Sequence, residues 1–453
     1  MARILSTWFS IRASYWFYPA LFAIAAFVLA LVTIQIDRSG AAAWLSDIPE
    51  LHPARPDGAS NMLTVLAGSM IGVASTVFSI TIAAVAYASG NYGPRLLTNF
   101  MEDKGNQFSL ATFIGTFVYA LTVLRTVRSE DESPLLGATA DSAPGFVPQL
   151  SLLVAFALML VAVAVLVFFL HHIPSSIRIN FVLEGIGKRL LGKVDHLFPD
   201  DFERDAGLPD SPDGAAVEAR DTGYVRVIDF DELADCADDK DMRIGLRLRT
   251  GDFVHPGKPL VATDMREVDD EIAGRIRDCF ALGGSRTPEQ DIEFSLDELV
   301  EIALRALSPG INDPFTAISA IHWIGAATAR LGARDLRNVI KGEDGVSERV
   351  VPLADDFAHF LKRGFGAVRV AIASSKIATL KTFDALADAA HAIDDADRRA
   401  QVEGEARALL EQAEHQQRGP EIEDIRARFR EISEAFEQRK SSNDTETDSG
   451  EDR

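Results

Sequence analysis

Four long apolar stretches constrain this chain more than any other feature, because a backbone that has no water to bond must close its own hydrogen bonds as helix. They cover about residues 18–36, 62–88, 106–124 and 150–170, and each suits a hydrocarbon core that takes about 20 helical residues to cross. The second, Met62 to Ala88, has no charge in 27 residues, and the fourth has Ser151 as its sole polar member. Buried helices of a water-soluble protein would not need such length. The first stretch does not read as a cleaved leader: its apolar run is too long, and Asp37 and Arg38 stand before Ala41-Ala42-Ala43.

Lysine and arginine in the short flanks set the orientation. The N-terminus (Arg3, Arg12), the second loop (Arg95, Lys104) and the segment after the fourth stretch (Arg178, Lys188, Arg189, Lys193) carry eight, against Arg38, Arg55, Arg125 and Arg128 in the first and third loops. Both termini are therefore expected on the cytoplasmic side. The net charge of -22 belongs to the other part of the chain: Met1 to Asn180 holds nine basic and ten acidic residues, leaving 36 and 57 beyond it. Such acidity excludes nucleic acid as a partner, since affinity for phosphates needs a basic footprint. The two cysteines, Cys236 and Cys279, have neither the spacing nor the histidines of a zinc site or a disulfide framework, and read as buried thiols.

Small and polar residues are not scattered on the second apolar stretch. At about 100° per residue, Thr64, Gly68, Gly72, Ser75, Ser79, Ala83, Ala86 and Gly90 form one stripe, while Leu63, Leu66, Met70, Val73, Val77, Phe78 and Val85 fill the rest. Gly68 and Gly72 are a GxxxG pair that lets a second backbone approach closely. Ala111 with Gly115, and Thr112 with Thr116, repeat the spacing in the third stretch. The stripe fits either packing of helices two and three against each other, or a subunit interface or hydroxyl-lined pore. The spans as read contain no ionisable residue, which argues against a proton relay. His171 and His172 at the membrane edge read as interfacial side chains, with Pro174 ending the fourth helix.

An amphipathic connector and a linker rich in Asp, Pro and Gly (176–220) lead to a small β module (221–265). Its strands are Gly223 to Phe230 and Met242 to Arg249, which alternate at period two. Gly251 and Gly257, six apart between strand residues, resemble the turn of lipoyl/biotinyl-like barrel-sandwich modules, although no lysine stands in a Met-Lys-Met setting and no bound cofactor is expected. A helical region (266–440) and a disordered acidic tail (441–453) follow. In the helical region Ser295 and Glu298 have capping-box spacing. Ser308-Pro309-Gly310 stops one helix, and Asn312-Asp313-Pro314 restarts the next with Asp313 as N-cap and Pro314 at N1. Ser308, Pro309, Gly310, Asn312, Asp313 and Pro314 thus read as a structural corner. The acidic runs Glu267–Glu271 and Asp394–Asp397 read as solvated helix faces. No phosphate loop, nucleophile elbow or metal-spaced cluster occurs, so no enzymatic activity is expected.

Gly72-Val-Ala-Ser-Thr-Val-Phe-Ser-Ile-Thr, Gly93-Pro-Arg-Leu-Leu and Ala306-Leu-Ser-Pro-Gly-Ile-Asn-Asp-Pro-Phe-Thr-Ala317 resemble the hallmarks of the DUF2254 family of bacterial membrane proteins, and the resemblance runs from about Trp8 to Ala396. It implies a multi-pass protein of the bacterial inner membrane with a cytosolic domain and brings no catalytic residues. The expected fold is a four-helix membrane anchor (1–175) followed by a mostly α cytosolic domain with the small β module. The expected partners are the lipid bilayer and further copies of the chain. Two functions fit: a homo-oligomeric, channel-like transport protein with Gly68, Gly72, Ser75 and Ser79 at the subunit contact or pore, or a membrane-anchored scaffold or sensor whose soluble domain binds a cytosolic partner.

Overall fold

A computed structural model describes residues 11–12, 14–41, 44, 55–93, 103–128, 146–198, 210–336, 341–342, 345–346, 349–353 and 356–448. The expectations for Arg3, Arg95, residues 94–97, the first half of the linker and the last five residues lie outside it. The chain divides into two compact units, Ser10–Arg178 and the part from Ile179 onward.

In the first unit, helices α1 (Phe17–Ser39), α2 (Pro56–Tyr92), α3 (Lys104–Leu124) and α4 (Gln149–Ser176) are each long and apolar enough to cross a membrane. Helix α3 is the most buried of the four. Its Phe113, Tyr119, Ala120 and Val123 pack with Ala30 and Ile34 of α1, Leu63, Leu66, Met70, Ala74 and Val77 of α2, and Ala155 and Phe169 of α4. The helices are longer than the apolar pattern alone suggested, and their end turns carry charge with a structural use. Asp37, near the end of α1, accepts from the backbone amides of Leu150 (2.9 Å) and Ser151 (3.0 Å) and from the Ser151 hydroxyl (2.7 Å), so α1 caps the orphan donors of α4. Tyr119 donates to the Ser151 carbonyl at 3.1 Å and shares a hydrogen bond of 2.9 Å with Thr33, tying three helices together. At the other end Asp103 caps α3 through the Asn106 amide (3.1 Å) and lies 3.0 Å from Nε2 of His172. His172 is thus a side-chain bridge between α3 and α4 rather than a free interfacial group. Pro174 does not end α4, which continues to Ser176; proline forfeits only its own hydrogen bond to the carbonyl four residues back, and the last turn continues past it.

The second unit begins with α5 (Ile179–Leu197) and then a mixed module. Strands β1 (Ala216–Glu218), β2 (Gly223–Ile228), β3 (Ile244–Leu246), β4 (Phe253–Val254), β5 (Pro259–Thr263) and β6 (Phe280–Gly283) alternate with helices α6 (Phe230–Asp239) and α7 (Asp270–Asp278). Two sheets form, ordered β1-β5-β3-β9 and β4-β2-β6, with β9 (Val350–Val351) arriving from much later in the chain to pair in parallel with β3. Val225, Ile228, Ile244, Leu246, Val261, Cys236 and Cys279 share its core. The module is larger than the expected 221–265. Asp229 and Asp269 cap α6 and α7, so Phe230 starts a helix instead of finishing a strand and Asp269 is a cap instead of part of a solvated acidic face. The end of the expected linker is ordered as β1, with Gly214 and Ala215 donating to the Thr263 and Met265 carbonyls at 2.8 Å. Gly251 and Gly257 do sit at turns with φ of 95° and 88°, a region that glycine enters without steric cost.

The rest is helical: α8 (Ile292–Ala306), α9 (Pro314–Gly332), α10 (Phe357–Leu361), a π-helical turn (Lys362–Gly366), α11 (Ala367–Ala373), α12 (Lys376–His391), α13 (Ala396–Gln416) and α14 (Pro420–Asp448), with a short β7–β8 pair (Lys341–Gly342, Gly345–Val346) after α9. Asp395 caps α13 through the Arg398 amide at 2.8 Å. The backbone stays helical to Asp448, in the stretch from 441 that was expected to be disordered.

Candidate functional site

The small residues of α2 do not face α3. Thr64, Gly68, Gly72, Ser75, Ser79, Ala83, Ala86 and Gly90 are all exposed, and the face that packs in the bundle is the opposite one, Leu63, Leu66, Met70, Ala74, Val77 and Val85. A Cβ added to Gly68 or Gly72 would meet nothing within 4 Å. Among the described residues nothing lies within 4 Å of a Cβ at either glycine, and the stripe is exposed, which argues against packing of helices two and three through it. The Ser75, Thr76 and Ser79 hydroxyls donate to the carbonyls of Ile71, Gly72 and Ser75 at 2.9, 3.0 and 2.9 Å. Their donors are satisfied within the helix, which leaves a smooth face tolerable in lipid. The corresponding residues of α3 behave differently: Ala111, Gly115 and Thr116 are buried, and Gly115 lies against Phe22 and Ala26 of α1.

The corner after α8 spends its polar groups on itself. Asn312 takes a φ of 50°, its amide and that of Ile311 donate to the Ser308 carbonyl at 2.9 and 3.0 Å, and the Asp313 amide returns to Ala306 at 2.8 Å. The Asp313 carboxylate accepts from the Thr316 amide (3.1 Å) and hydroxyl (2.6 Å), with Pro314 at the first helical position. Ile311 and Phe315 project outward, the latter 68% exposed.

A charged network that the sequence pattern did not reveal surrounds the start of α8. The cap is Asp291, which accepts from the Phe294 amide at 3.0 Å. Ser295 and Glu298 lie inside the helix and are buried. They meet Arg189 of α5, whose Nε donates to Ser295 Oγ at 3.1 Å and whose Nη2 donates to Glu298. Lys193, one turn further on, donates to the carbonyls of Pro288 and Asp291; burial, and then the nearby Arg189, hold its ammonium down to about 8. Asp297 accepts from Arg286 and, at 2.7 and 2.8 Å, from Arg363. Burial pushes Asp297 up, but the two guanidinium groups outweigh it and keep its carboxyl below the usual range. At Asp291 burial wins over Arg286 and the shift is upward. Glu293 takes Arg363 at 2.8 Å and His359 at 2.7 Å. The π-helical turn Lys362–Gly366 carries Arg363. The signal for this network was thin: Asp291 stands three residues before Phe294, but Ser295-x-x-Glu298 offered a better-looking cap.

A family model described as "Predicted membrane protein (DUF2254)" matches residues 12–388. The chain belongs to the DUF2254 family. Relatives of this DUF2254 chain include the uncharacterized proteins Mb1321c of Mycobacterium bovis and Rv1290c of Mycobacterium tuberculosis, each 34% identical over 324 residues, covering 69% of this chain and 60% of theirs. The chain thus matches less than two thirds of the length of these relatives. No solved structure matches it. Among the described residues no group of three or more His, Cys, Asp or Glu is placed to hold a metal. Cys236 and Cys279 are buried, and burial raises both thiols, Cys279 to about 12.

Proposed function

We propose that this DUF2254 protein is a homo-oligomeric, pore-like transport protein of the bacterial inner membrane, with both termini cytoplasmic, in which the small-residue face of α2 meets a second copy and the soluble unit serves as assembly and gating element. The observation that carries it is the exposed face with Gly68, Gly72, Ser75 and Ser79, where none of the described residues lies within 4 Å of a Cβ added at either glycine. Small residues permit close backbone approach, which drives helix association where lipid supplies no hydrophobic force. Exposed Val65, Ile71, Phe78 and Ile82 flank it, as befits a contact set in lipid. Because the stripe hydroxyls already donate to their own helix, a helix contact suits the face better than a fully wet lining, and any pore lies at the axis beside that contact.

The test is the mass of the detergent-solubilised protein with and without Gly72→Leu. A ring that dissociates on that change supports the reading. An assembly unaffected by it, together with Ser75→Cys and Ser79→Cys that stay as unreactive toward hydrophilic thiol reagents as the buried Val77→Cys, sinks it. A stable monomer leaves the membrane-anchored scaffold in its place. Alkaline phosphatase fused after Arg178 should be inactive if that segment is cytoplasmic.

A further inference from the structure

The exposed apolar side chains of the soluble unit collect at one end of its helical part. Helix α5 runs antiparallel to α8, since Arg189 reaches Ser295 and Glu298 while Lys193 reaches Asp291. It runs alongside α9 in the same direction: Gly187 lies against the Trp323 ring, and Asp195 pairs with Arg330 at 2.6 Å and Arg334 at 2.9 Å. Helix α12 follows α9, with Gly325 against Ala385 and Gly332 against Ile393. The π-helical turn and α11 follow α8, with His359 on Glu293 and Arg363 on Asp297. The start of α5, the end of α8, the 308–313 corner, the end of α11 and the start of α12 therefore share one end. Phe181, Leu304, Ile311, Phe315, Val370 and Ile377 stand there, 38% to 68% exposed. Among the described residues only Phe253 of the soluble unit is a large exposed apolar side chain elsewhere.

That end holds the start of α5, which follows α4 in the chain. Helix α4 has 28 residues, a length of about 42 Å at the usual rise, which matches a bilayer with its headgroups. Only Ile177 and Arg178 separate it from α5, a tether of at most about 11 Å between the flanking Cα atoms. A soluble domain so tied cannot carry its first turn far from the lipid surface. Apolar clusters of this kind on a water-exposed surface mark a contact, and the acidity of the domain disfavours purely electrostatic attraction to anionic lipid.

We propose that this end of the soluble unit is a lipid-contacting face, in which Ile311 and Phe315 at the tip of the corner, with Phe181 in the first turn of α5, enter the boundary between headgroups and acyl chains. The motif Ser308-Pro309-Gly310-Ile311-Asn312-Asp313-Pro314 then has two roles. Its polar atoms fix the turn, and the fixed turn presents two apolar side chains to the bilayer. This depends only on the chain being a membrane protein, and stands or falls separately from the oligomer.

The full-length protein carrying Ile311→Cys, or Phe315→Cys as a second variant, is labelled with bimane and reconstituted into phosphatidylcholine and phosphatidylglycerol vesicles. The native thiols are buried and stay unlabelled in the folded protein. Nitroxide-bearing lipids should quench both labels about two-fold or more, because an interfacial side chain lies roughly 5–10 Å into that layer. Aqueous iodide should have little effect. A label on Ala392→Cys, exposed at the opposite end, should show the reverse. Quenching of positions 311 and 315 by iodide but not by lipid nitroxide overturns the proposal, since the face is then free in water. Protection from both quenchers overturns it too, since protein then covers the face.

Discussion

Arg189 on α5 donates to the carboxylate of Glu298 on α8, and the Glu298 side chain is wholly buried. Arg189→Met would remove the guanidinium from that buried carboxylate, at a cost on the order of 3 to 5 kcal/mol. The double variant Arg189→Met/Glu298→Leu should recover most of the loss, since a well-packed apolar pair often equals a buried ion pair. Chemical denaturation of the full-length protein followed by circular dichroism measures both. A double variant no more stable than the single one would show that the pair is not the coupling.

Helix caps give a second test. Asp313→Ala and Asp291→Ala should each lower stability by about 0.5 to 2 kcal/mol, and Asp313→Asn should be nearly silent. A catalytic or metal role for Asp313 would make the Asn variant as damaging to function as the Ala variant at unchanged stability.

Two glycines in the membrane unit should part company. Gly115→Leu drives side-chain atoms into Phe22 and Ala26 of α1, so the bundle itself should lose at least about 1 to 3 kcal/mol, as overpacking does. Gly72→Leu, with open space around it, should leave the thermal stability of the monomer unchanged. Equal destabilisation by both would mean that α2 packs within the chain through its stripe.

Lys193 gives a pH dependence of definite sign. The folded protein releases this proton at about 8 and the unfolded chain near 10.5, so between these values the unfolded state binds more protons and stability rises with pH. The full rise is on the order of 3 kcal/mol. Lys193→Met should flatten the slope between pH 8 and 10 relative to the parent, as read by denaturant midpoints at several pH values. A variant with the parent's slope would assign that titration elsewhere.

What was legible in the sequence was legible for local reasons. The membrane helices follow from the length of apolar runs, and the Asp313 cap from residues within one turn of each other. The two turn glycines were visible because positive φ leaves few residue choices. Where two local signals competed, the sequence misled: Ser295-x-x-Glu298 has the spacing of a capping box, yet Asp291 starts the helix because burial of Phe294, Ser295 and Leu296 against α5 and its neighbours draws the helix back by one turn. Asp269 and Asp395 looked like surface charge and Asp229 like a strand residue, and all three are caps.

The sequence by itself determined that the chain spans a membrane, that α2 has one small-residue face, and that a fixed corner joins α8 to α9, because hydropathy, helical periodicity and turn chemistry act over a few residues. Only the tertiary structure decided which face of α2 its neighbours use. Each helix has two faces compatible with packing, and the larger apolar side chains of α2 bury more area in the bundle than the glycines could. The same holds for the ionic network around α8, where Arg189 and Arg363 come from distant parts of the chain to join the nearby Arg286, and all three are matched to their carboxylates by burial, since a charge taken out of water is stable only beside its opposite.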